Sequence, residues 1–229
     1  MEERCSQRAN MRRLDGRFEK RFYYVQVKFW KELLFLVLFG GLTSGCAFTD
    51  ITIQMPQPGV STKSSGGNGR ALLVPTFVDK RPEQRIGMKK NNYGMDTASV
   101  FPSQDPNSWL GSRLRDELSA AGFLVNSAGD TINPTKIEGF TYQLFIEPVV
   151  QWMTVDLETD LWVNIRVSRP DGLEAERQYF VKGIEQNPLF ASEDSYVESL
   201  RKASNELMKR VVDGLINLLN RFPETQGRS

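Results

Sequence analysis

Apolar residues recur along this chain with two different periods, and the change from one to the other orders its elements. From Tyr196 the residues Leu200, Ala203, Leu207, Val211, Leu215 and Leu218 return at steps of three and four. That spacing predicts one long helix, beginning near Ser192, with a single apolar stripe over about seven turns. Ser192-Glu193-Asp194 supplies a cap and an acidic first turn, and Phe222-Pro223 ends the element. A shorter helix is predicted by Leu110, Leu114, Leu118 and Ala121, with Asn107 or Ser108 as cap and Gly122 as the stop. Arg113, Arg115, Asp116 and Glu117 fall on its other sides.

Between the helices the period drops to two. Phe140, Tyr142, Leu144 and Ile146 alternate with Thr141 and Gln143, which predicts a half-buried strand. Val155, Leu157, Leu161, Val163, Ile165 and Val167 share one parity, and Thr154, Asp156, Glu158 and Asp160 the other. Pro170-Asp171-Gly172 is a turn joining this strand to Glu174–Ile184 in a hairpin. Upstream, Ala71–Asp79 reads as a first strand, at an edge or bulge because of Pro75. Lys80–Tyr93 reads as a polar loop, Gly94–Phe101 as a second strand and Phe123–Val125 as a short third. The expected fold is α+β: a two-layer sandwich, mainly antiparallel sheet, with two helices on one face. The opposite sheet face is then exposed or binds something.

The amino-terminal fifth follows neither period. Lys28 and Lys31 precede the uncharged run Leu33 to Gly41, followed by Leu42-Thr43-Ser44-Gly45-Cys46. A basic segment, a short apolar stretch and small residues describe a secretory signal, too short to span a bilayer. Cys46 after Ser44-Gly45 resembles the lipobox of bacterial lipoproteins, in which the cysteine is acylated and becomes the new amino terminus. Residues 1–26 are charged without a core pattern, as expected of an over-extended start, where Met11, Val25 or Val27 would leave a signal of ordinary length, or of a functional cytosolic basic segment. The expected divisions are therefore a signal over 1–45, an acylated cysteine with a flexible tether over 46–70 that holds a short β segment at Asp50–Met55, one domain over 71–222, and a loose tail over 223–229.

Removing the signal changes the charge. Of 29 Lys and Arg and 28 Asp and Glu, residues 1–45 hold 9 and 5, which leaves a net charge of −3. That balance argues against nucleic acid as a partner. There is no histidine, and of the two cysteines Cys5 goes with the signal and Cys46 with the lipid. The commonest general base, the commonest metal ligand and any thiol nucleophile are thereby missing, so no enzyme activity, cofactor or metal site is expected.

Two surfaces are candidates for contact. Lys80, Arg81, Arg85, Lys89 and Lys90 concentrate positive charge in the polar loop, opposed by Asp79 and Glu83. Guanidinium and ammonium groups suit phosphate and carboxylate, so an anionic envelope component or acidic partner fits them; a plain solvated loop fits as well. Trp152 and Trp162 share a parity with Asp156, Glu158 and Asp160, which would put an aromatic pair on the open sheet face. The three carboxylates alone are better read as a solvated face than as a calcium site, which takes ligands from a loop.

The whole mature chain also resembles the YajG-type family of uncharacterised outer-membrane lipoproteins. The resemblance rests on the lipobox cysteine, Thr52-Ile53, Asp79-Lys80-Arg81 after the first strand, Leu114 through Phe123, the strand meander and the final helix. It implies a lipid-anchored, periplasm-facing protein and lends no established reaction. Ala47 stands where an aspartate would favour the inner membrane, which points to the outer membrane. The expected role is a non-enzymatic binding or scaffolding module for an envelope protein or anionic component. The alternative is a carrier for lipid, lipopolysaccharide or peptidoglycan fragments.

Overall fold

The computed structural model describes residues 48–57, 59–60, 64–91, 93–126, 134–152, 154–187 and 191–222. The expected signal, Cys46 and the residues after 222 lie outside them. In chain order the described elements are β1 (Ile51–Ile53), β2 (Ala71–Leu73), β3 (Val78–Asp79), β4 (Gly87–Lys90), β5 (Asp96–Pro102) and α1 (Pro106–Ala120). They continue with β6 (Leu124–Asn126), β7 (Thr135–Val150), β8 (Val155–Ser168), β9 (Glu174–Asn187) and α2 (Glu193–Arg221). The class is α+β, with one mixed, mostly antiparallel sheet.

The backbone of the sheet is the meander β7–β8–β9, in which β8 pairs antiparallel with both neighbours along its whole length. The other edge of β7 is taken by three short strands in succession, all parallel to it: Leu72 opposite Thr135, Val78 opposite Phe140, Gly87 opposite Ile146. β6 extends the sheet beyond β2, while β5 and then β1 extend it beyond β4. The expected first strand is thus two, broken over Val74–Phe77, where Pro75 has no N–H to give. Arg115 Nη1 donates to the Val74 carbonyl in this break at 3.0 Å.

The long helix matches its stripe. Tyr196, Leu200, Ala203, Leu207, Val211 and Leu215 are buried, and Ser192 caps the first turn. α2 packs against β8 and β9. The approach is close because Gly183 of β9 faces the backbone of Ser199 and Ala203, where a Cβ would collide. The Ser199 hydroxyl donates to Leu157 O at 2.9 Å and shares a hydrogen bond with Thr159 Oγ1 at 2.7 Å.

α1 differs from expectation at two points. Its cap is Asp105, whose carboxylate accepts from Ser108 N at 2.8 Å and Asn107 N at 3.3 Å. Asparagine and serine were the candidates, but Pro106 at the first helical position moves the cap back to its predecessor. Arg113 and Glu117 are not on outward sides; both are 1 % exposed, in the contact between the helices. Arg113 donates to Ser204 Oγ at 2.9 Å and Asn205 Oδ1 at 2.7 Å, both from α2. Gly122 ends the helix as expected, with φ +91°.

The described residues of the stretch expected to be a flexible tether join the domain, and the short β segment expected within it forms as β1. β1 pairs with β5, Ile53 and Met55 are in the core, and Trp109 Nε1 donates to Pro56 O at 2.9 Å. Further on, Gly67 N donates to Ala121 O at 2.9 Å and Gly69 N to Gly122 O at 2.8 Å. Gly67 lies so near the Gly122–Phe123 peptide that any side chain would clash there. The Gly/Ser composition that reads as a linker is used here for close backbone approach.

Candidate contact cleft

The outer face of the meander is set by a bulge. Thr141 pairs with Val163 and Gln143 with Trp162, so Tyr142 is an extra residue in β7. Buried positions are Ile137, Gly139 and Thr141 before it and Leu144, Ile146 and Pro148 after it. One inserted residue exchanges the parities, as a bulge must. Phe140 and Tyr142, expected in the core with Leu144 and Ile146, therefore face outward.

Tyr142 lies on Trp162, with ring centroids 5.1 Å apart and planes inclined by 28°. Together with Phe145 they floor a cleft of about 290 Å³, and Arg81, Glu83 and Arg85 rim it. The loop and the sheet face, separate candidates in the sequence, meet at this place.

The Arg81 side chain is only 5 % exposed. It is held bidentate to Asp79, Nε to Oδ1 at 3.0 Å and Nη2 to Oδ2 at 2.8 Å, and its backbone N–H also donates to Oδ1. The guanidinium of Arg81, chiefly through its hydrogen bonds, holds the Asp79 carboxyl below the usual range. Among the described residues Nη1 of Arg81 is buried without a hydrogen-bond partner. Arg85 pairs with Glu83 and lies over the Phe145 ring, 5.7 Å from its centroid. Each guanidinium of the rim thus carries its own carboxylate, so the cleft offers directed donors beside aromatic surface and little net charge.

The remaining candidates lie elsewhere. Lys80 donates its backbone N–H to Thr141 O, continuing the β3–β7 pairing. Lys89 and Lys90 are on β4, in a segment expected to be loop. Lys89 Nζ reaches Thr49 O at 3.3 Å and Lys90 pairs with Glu147. Trp152 does not join Trp162 on the sheet face. It sits in the β7–β8 turn, 97 % exposed, ten residues of chain away. Glu158 and Asp160 both pair with Lys182, and Asp156 accepts from Gln151 Nε2 at 2.8 Å. Among the described residues no acidic group is arranged to hold a metal ion.

Tyr142 and Phe145, which line the cleft, were not candidates from sequence. A signal existed in Leu144-Phe145-Ile146, three apolar residues in succession, which marks a strand apolar on both faces.

A family model described as an uncharacterised lipoprotein matches residues 58–214. The chain belongs to this family, the YajG lipoproteins. No curated protein matches it. Among solved structures, a protein from Xanthomonas campestris is similar in fold, with TM-score 0.53 at 11 % identity, covering 74 % of this chain and 97 % of that one. An uncharacterised protein follows at TM-score 0.49 and 12 % identity, covering 73 % and 99 %. The lipoprotein GNA1162 from Neisseria meningitidis, at TM-score 0.22 and 12 % identity over 67 % and 98 %, is too distant for any structural argument. Membership in a lipoprotein family fits a membrane-anchored protein of the cell envelope. Among the described residues no helix is long and apolar enough to cross a membrane.

Proposed function

We propose that this YajG-family chain is a periplasm-facing outer-membrane lipoprotein, acylated at Cys46, that works as a non-enzymatic binding or scaffolding module. Its contact surface is the cleft between the Arg81–Arg85 loop and the Tyr142–Trp162 stack. The observation that carries this is their convergence: a buried, carboxylate-oriented guanidinium beside half-exposed aromatic rings is the composition of an interface anchor. The reading takes the fold as a two-layer sandwich, with both helices on one sheet face and the other face open to a partner. Ala47 supports the outer membrane as the destination.

Palmitate labelling of wild type and Cys46→Ala, followed by separation of the two membranes, tests the anchor. Label confined to the wild type and to the outer membrane is expected. Cross-linking in intact cells tests the cleft: Arg85→Glu with Trp162→Ala should abolish adducts, and unchanged adducts would remove the cleft from the interface.

The aromatic floor also favours the carrier reading. A sugar ring can lie on an aromatic face while a guanidinium takes its carboxylate or phosphate. Tryptophan quenching by peptidoglycan fragments or lipopolysaccharide, lost in Trp162→Ala, would select the carrier. A stable co-purifying protein with no such quenching would select the scaffold.

A further inference from the structure

We infer that the domain lies directly on the bilayer, with the β4–β5 and β7–β8 turns seated at the boundary between headgroups and acyl chains. This rests on the acylation of Cys46 proposed above and is independent of the cleft.

Asp50 is already fixed, its Oδ1 accepting from Ser99 N at 2.7 Å, and Ile51 begins β1 opposite Val100. Only Ala47, Phe48 and Thr49 separate Asp50 from the cysteine. Fully extended, those four steps span about 14 Å. A domain on so short a leash cannot stand tens of ångströms off the membrane, and the end nearest Asp50 must face it.

The register identifies that end. β1 is parallel to β5 and β5 antiparallel to β4, so Asp50 lies toward the β4–β5 turn, and Lys89 of β4 reaches Thr49 O. β4 is parallel to β7 with Gly87 opposite Ile146, so β4 ends level with the last residues of β7 and the β7–β8 turn. The Lys90–Glu147 pair spans the two strands there.

The exposed residues identify the partner. Tyr93 is 88 % exposed, Met95 58 % and Trp152 97 %, all in these two turns. Turn tips in water are ordinarily polar. Tyrosine and tryptophan, apolar in body with one polar edge, are the side chains that gather at membrane interfaces. Lys90 is paired with Glu147, Lys89 Nζ reaches Thr49 O, and Asp96 and Asp156 share this end. The contact is therefore made by apolar insertion and does not require anionic lipid.

The test uses the acylated full chain in phosphatidylcholine vesicles whose acyl chains carry bromine near the headgroup. Flotation of the same sample reports the anchor. Tryptophan fluorescence should be quenched in the wild type and in Trp162→Phe, with the quench lost in Trp152→Phe and unchanged in high salt. Flotation with the same quench in Trp152→Phe, or with none in the wild type, overturns the orientation and leaves the anchor standing. Failure to float removes the anchor and the orientation with it. Shielding of Trp152 by a co-purifying protein and not by brominated lipid would make these turns a protein interface and sink the proposal.

Discussion

Tyr142 rests on Trp162 because β7 holds one residue more than β8 at that point. The extra residue turns a tyrosine outward that plain alternation would bury. The stack is the floor of the cleft and is half-exposed, so it matters more to recognition than to stability. A double-mutant cycle with Tyr142→Ala and Trp162→Ala should give a coupling of about 0.5–1.5 kcal/mol in urea denaturation. Either single variant should lose cleft-dependent cross-linking. Zero coupling with full cross-linking would mean that the pair is incidental.

Asp79 aims Arg81 at the cleft, and the arrangement has a pH signature. The folded pKa of Asp79 is depressed by Arg81 below the ordinary value of 3.8. A depressed carboxylate contributes stability above its unfolded pKa and loses it as pH falls through the folded value. The stability difference between wild type and Asp79→Asn should therefore be constant from neutrality down to about pH 5 and shrink below the carboxylate range near pH 4. Because the carboxylate is partly exposed, the difference is small and screened by salt. Cleft binding by Asp79→Asn should drop at every pH, since Arg81 loses its bidentate support. A difference that grows toward acid would contradict the pairing.

The features carried by local periodicity were legible in the sequence. Both helices, the Pro170–Gly172 hairpin and the Gly122 stop depend on residues within a turn or two of one another. What escaped depends on distant partners. β4 is four residues long, Gly-Met-Lys-Lys, and is a strand only because β5 and β7 flank it. The bulge at Tyr142 is defined by the count of residues in β8. The Gly/Ser stretch before β2 has the composition of a linker, yet Gly67 and Gly69 bind the end of α1. The cleft was half legible: Arg81, Arg85 and Trp162 stood out singly, and their meeting was a property of the fold.

The closeness of α2 to β9 predicts a strong position effect at Gly183. A methyl there would enter the backbone of Ser199 and Ala203, neither of which can swing away as a side-chain end would. Gly183→Ala should destabilise the domain by about 1–3 kcal/mol, with Gly183→Val worse. Gly172→Ala at the exposed turn, where φ is +90°, should cost about 1 kcal/mol and leave the packing unchanged. The two are separable by near-ultraviolet circular dichroism of the aromatic core. Equal, small effects would mean that the helix is free to lift from the sheet.

Arg113 and Glu117 lie one turn apart on α1, 3.9 Å between Nη2 and Oε1, both 1 % exposed. Burial pulls the Arg113 pKa down, and the nearby Glu117 charge opposes it. The guanidinium is also stacked near Trp109 and bridges α1 to Ser204 and Asn205 of α2. Removing one member leaves an uncompensated buried charge, so Arg113→Ala should cost about 3–5 kcal/mol. Replacing both by apolar residues of similar volume, Arg113→Met with Glu117→Leu, removes both desolvation penalties and should recover most of that loss. Thermal denaturation of the two variants beside wild type measures the difference. If the double variant is as unstable as Arg113→Ala, the hydrogen bonds to α2 hold the helices together and the ion pair contributes nothing of its own.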